Sequence, residues 1–110
     1  MSTYLFTFRA PAQYAPSADT FDAWAAWQLK LGARLKDRGN PAFTAMAIGA
    51  SPAETTLGGY SVVRAGSLDA AAALARGCPL LVHGCTVEVC ELADHDERFD
   101  SWLDAVGARQ

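Results

Sequence analysis

At 110 residues, with 51% hydrophobic and 19% charged residues and a formal net charge of −3, the chain has room for one domain with one core, spanning 1–110. Lys and Arg form no cluster that would neutralise phosphates, which argues against a nucleic-acid partner. No apolar run approaches the ~20 residues that cross a bilayer, and the opening MSTYLFTFR lacks the basic flank and cleavage site of a signal peptide. No membrane partner is therefore expected, and the expected location is cytoplasmic.

Taken in chain order, residues 3–9 form a β-rich run, TYLFTFR, apolar on both sides of the pleat: Tyr4, Phe6 and Phe8 one way, Leu5 and Thr7 the other. A proline-punctuated loop follows, and Ser17 or Asp19 can cap a helix that runs to about Arg38, where Gly39 and Pro41 stop it. Residues 42–48 read as a second strand, apolar on both faces, and residues 58–64 as a third. Ser67 caps a short helix, LDAAAALAR, with Asp69 in the first turn where the helix dipole favours an anion. Gly77 and Pro79 end it, and residues 85–92 form the fourth strand. A further segment, 94–106, places Phe99, Trp102, Leu103 and Val106 at i, i+3, i+4 and i+7, with Asp94 as its cap. That stripe is a packing surface for its own subunit or a partner, and His95 beside it is a solvated residue.

The class is α+β. The order β-α-β-β-α-β is the ferredoxin-like plan, a four-stranded antiparallel sheet with both helices on one face. Because the first two strands are apolar on both sides, the bare face calls for a second copy, giving a homodimer of the dimeric α/β barrel kind. Cys78, Cys85 and Cys90 are odd in number and not in C-x-x-C spacing, so no metal site or disulfide is expected. No cofactor is expected either.

Residues 57–92, LGGYSVV, a capped S-L-D-A-A helix, a Cys-Pro pair and then G-x-x-VEV, resemble the YCII-related (DGPF) family of small bacterial proteins. The resemblance covers about residues 3–92 and implies the dimeric α/β barrel fold. The loop that names one branch, D-G-P-F-A-E-T-K, is represented only by residues 50–56, and the C-terminal helix lies outside the family core. Some branches carry a histidine on the first helix and an aspartate before the proline that follows the second, a pair suited to acid/base work. On this chain those positions fall on Gln28 and Cys78. An amide does not titrate, and a thiol needs a nearby cation to ionise, so the hydrogen-chloride elimination associated with one branch does not carry over.

Gln28 stands out independently. Phe21, Trp24, Ala25, Leu31, Gly32 and Leu35 form one helical stripe with Gln28 near its centre, so a polar amide faces the sheet and must find partners or a ligand. Trp24, Tyr60 and Cys78 are the other expected pocket residues, with Arg9 at a strand end able to hold an anion by paired hydrogen bonds. Trp27 suits the core or a dimer contact. His83, the one histidine of the core region, is the candidate acid/base group. Two functions stand side by side: a small-molecule-binding protein without catalysis, and a cofactor-independent isomerase or lyase that moves a proton on a small ring-containing metabolite through His83.

Overall fold

The computed structural model describes residues 1–50, 54–93 and 97–108. Strand β1 (Ser2–Pro11) runs through the middle of the molecule, followed by helix α1 (Ala18–Leu31), a 3-10 turn (Gly32–Arg34) and a short strand β2 (Leu35–Asp37). Then come β3 (Thr55–Ala65), α2 (Leu68–Ala75), a second 3-10 turn (Pro79–His83), β4 (Thr86–Leu92) and α3 (Glu97–Ala108). The four strands make one sheet in the order β2-β3-β1-β4, and every neighbouring pair is antiparallel.

Alternation along the strands divides the sheet into two unlike faces. Tyr4, Phe6 and Phe8 of β1 stand opposite Val63, Ser61 and Gly59 of β3, and all six are buried. Trp27 and Leu31 of α1 and Ala71 and Ala75 of α2 close over this face. The Trp27 ring stacks on Phe6 at 6.3 Å between centroids, and Phe8 meets both Trp24 and Trp27 edge-on, the arrangements that ring quadrupoles prefer. The other face carries Leu5, Thr7, Tyr60 and Val62, all half-buried, and Glu88. Thr7 Oγ1 donates to Glu88 Oε1 at 3.3 Å across the β1–β4 pair.

Both main helices begin at serine caps. Ser17 Oγ accepts from the Thr20 amide at 3.2 Å, and Ser67 Oγ from the Ala70 amide at 3.0 Å, satisfying donors that a helix start otherwise leaves free. The first helix stops earlier than expected, at Leu31, because Gly32 adopts φ +56 and turns the chain at once.

That early stop moves the second strand. It is Leu35–Asp37, paired with Val63 and Val62, and not residues 42–48. Past an isolated bridge from Pro41 to Gly59 and a bond from the Ala42 amide to the Gly58 carbonyl, the chain leaves the sheet edge. Phe43, Met46 and Ile48 are then 82%, 87% and 94% exposed. The physical reason lies in the pattern FTAMAI, whose apolar residues fall on both sides of a pleat and pin no register. The C-terminal helix forms as expected, with Trp102 60% and Leu103 43% exposed and Val106 half-buried. Asp94 and His95 lie outside the described residues.

Candidate ligand cavity

A half-open cavity of about 300 Å³ sits where α1 meets the far ends of β1 and β3. A β-bulge shapes it. Phe8 pairs with Gly59 but Arg9 pairs with Leu57, so Gly58 is an extra residue that bends β3 outward. A Cβ at Gly58 would approach the Phe8 carbonyl oxygen to 3.3 Å, which suits glycine there. Phe21 and Trp24 from the first half of α1, Phe8 from β1, Leu80 from the second 3-10 turn and Cys85 before β4 supply the apolar wall. Tyr14 enters from the loop between Pro11 and Pro16, held by a bond from its amide to the Pro11 carbonyl at 2.9 Å.

The wall is almost without charge. Among the described residues it contains no Asp, Glu, Lys or His, and Arg9 is the one charged residue. Arg9 follows Phe8 on β1 at the bulge and borders the cavity. The Tyr14 hydroxyl and the Trp24 indole nitrogen are shut off from solvent, and so from the open space of the cavity, without a hydrogen-bond partner among the described residues. Burial pushes the Cys85 thiol above its usual pKa, so it stays protonated and unreactive near neutrality.

The expected site residues do not all come together. Trp24 and Arg9 border the cavity, whereas Gln28, Cys78, Tyr60 and His83 do not. Gln28 is 2% exposed, and its amide is committed elsewhere: Nε2 donates to Ser61 Oγ at 2.9 Å and to the Arg38 carbonyl at 3.3 Å, while Arg38 Nε donates to Oε1 at 3.4 Å. Ser61 Oγ completes the network by donating to the Arg38 carbonyl at 2.7 Å. Cys78 belongs to the hydrophobic core, and burial pushes its thiol up to about 11. Tyr60 projects from β3 on the face away from the helices, where its hydroxyl accepts from Asn40 Nδ2 at 3.3 Å.

His83 is exposed at the end of its 3-10 turn, its ring 5.7 Å from that of Tyr14 at a tilt of 33°. It stands outside the wall. Trp27, by contrast, lies in the core. The residues that sequence reasoning missed are Tyr14, Phe21, Leu80 and Cys85. For Tyr14 a signal was present: it is the lone aromatic between two prolines, in a loop otherwise made of two alanines and a glutamine. No protein family, curated protein or solved structure matches this chain.

Proposed function

We propose that this chain is a small-molecule-binding protein of the YCII-related kind, acting by holding its ligand in the cavity between α1 and the bulged end of the sheet. The observation that carries this reading is the cavity itself. Its volume of about 300 Å³ lies at the lower end of the range of roughly 300–1,000 Å³ common to ligand sites, and its mostly apolar wall with a few polar atoms has their usual makeup. A binding role without catalysis is favoured because the described residues of the wall offer no acid/base pair: His83 stands outside it, and the Cys85 thiol is held protonated. Saturation-transfer NMR with a set of one- and two-ring compounds tests the reading. Binding is expected in the wild type and lost in Leu80→Trp, which fills the cavity from its rim; no binding by any ring compound at millimolar concentration overturns it.

The same reading takes the sheet as ferredoxin-like and its bare face as the seat of a second copy. Three observations support it. Leu5, Tyr60 and Val62 lie on the face opposite α1 and α2, the apolar side chains of residues 43–48 project into water, and the radius of gyration, 16.3 Å, exceeds the about 13 Å of a compact chain this long. An apolar surface of this kind marks an interaction site, and a self-complementary pair is the simplest assembly that covers it.

A further inference from the structure

We infer that Phe43 is the closing residue of this cavity: its ring turns over a bound apolar ring at the open side and leaves water as the ligand enters. The inference rests on the cavity being a binding site and names the side chain that completes it. Phe43 belongs to the cavity wall and is 82% exposed. Together the two facts place it at the rim, where the wall meets solvent. Among the aromatic residues of the wall it is the most exposed, since Phe8 is buried, Tyr14 and Trp24 are half-buried and Phe21 is 43% exposed.

The backbone holds this ring at the mouth and leaves it free to turn. Residues 40–42 are pinned to β3: the Tyr60 amide donates to the Asn40 carbonyl at 3.3 Å, Pro41 bridges to Gly59, and the Ala42 amide donates to the Gly58 carbonyl at 3.0 Å. Gly58 is the bulge residue, so the irregularity that shapes the cavity also anchors the chain beside it. Among the described residues no backbone hydrogen bond ties residues 43–50 to another segment. Phe43 is therefore the first side chain past the anchor. Its closure costs rotamer freedom, and removing the ring and the ligand's apolar surface from water offsets that cost. A planar ligand also gives the ring a face or an edge to meet. Met46 and Ile48 lie farther along the arm and outside the wall, and stay available to the second copy.

NMR titration of the full chain with ethylbenzene, a neutral single ring, tests the closing role. The wild type is expected to show nuclear Overhauser contacts between the ligand ring and the Phe43 ring. Phe43→Ala should weaken ethylbenzene about tenfold, whereas Met46→Ala, on the same arm, should leave its affinity unchanged. A ring so exposed supports little packing, so Phe43→Ala should keep the wild-type far-UV circular dichroism; the Overhauser contacts of the wild type carry the test should the variant fail to fold. Equal affinity of wild type and Phe43→Ala, or binding without contact to the Phe43 ring, overturns the closing role and leaves the cavity as an open apolar site. Equal weakening by Met46→Ala and Phe43→Ala overturns it in favour of an arm that acts as a whole through the second copy. Failure of ethylbenzene to bind the wild type removes the apolar ring site and its closing residue together.

Discussion

One amide joins three parts of this chain. Gln28 on α1 meets Ser61 on β3 and the backbone just past β2, and Ser61 is itself fully buried. Gln28→Leu therefore leaves the buried Ser61 oxygen without the N–H it accepts from and loosens Arg38, and urea unfolding should show a loss of about 1–3 kcal/mol. The place of Gln28 on the inner face of its helix was legible from helical spacing. Its partners were not, because they lie 33 and 10 residues away and local pattern says nothing about contacts at such separations. Cys78 yields a second prediction. Burial raises its pKa from 9.0 to about 11, so the fold keeps the proton at pH values where the unfolded chain releases it. The stability this thiol contributes is thus intact below pH 9 and is lost as pH rises toward 11, by up to about 2–3 kcal/mol. Urea midpoints from pH 7.5 to 10.5 should fall more steeply for wild type than for Cys78→Ala. Alkylation of the native protein should modify the half-buried Cys90 well before Cys78 or Cys85.

Among the elements, the Ser67 cap could be read directly and Ser17 was one of two candidates with Asp19, since capping depends on residues three apart. Ser17→Ala and Ser67→Ala should each cost about 1 kcal/mol in thermal or urea melts. The second strand could not be read, because Leu-Lys-Asp carries no strand pattern and continued the helical reading that the backbone angle at Gly32 ends. After β2 the chain passes so close to β3 that a Cβ on Gly39, at φ +73, would fall 1.7 Å from the Tyr60 carbonyl oxygen. Gly39→Ala should consequently lose more than about 3 kcal/mol or fail to accumulate folded protein, as circular dichroism of the purified variant would report. The cavity was half legible. Trp24 and Arg9 followed from helix and strand periodicity, whereas the bulge at Gly58 that opens the space, and the loop that brings Tyr14 to it, depend on long-range pairing.

At the scale of the molecule, the proposed assembly predicts a sedimentation coefficient of a dimer at micromolar concentration, and a clean 11.7 kDa monomer would count against it. Polar substitutions at the bare face, such as Leu5→Lys with Val62→Glu, should shift the equilibrium to monomer while leaving far-UV circular dichroism unchanged. The sheet order carries a kinetic consequence as well. β1 is the first strand synthesised, yet it lies between β3 and β4, with Ser2 opposite Ala65 and Thr3 opposite Leu92. Its hydrogen bonds thus close loops of most of the chain's length, the kind of topology that folds slowly. During translation the apolar strand Tyr4–Phe8 must wait beside the ribosome, unpaired, until nearly the whole chain has emerged, and a nascent chain arrested before residue 86 should be bound by chaperones far more strongly than the finished protein.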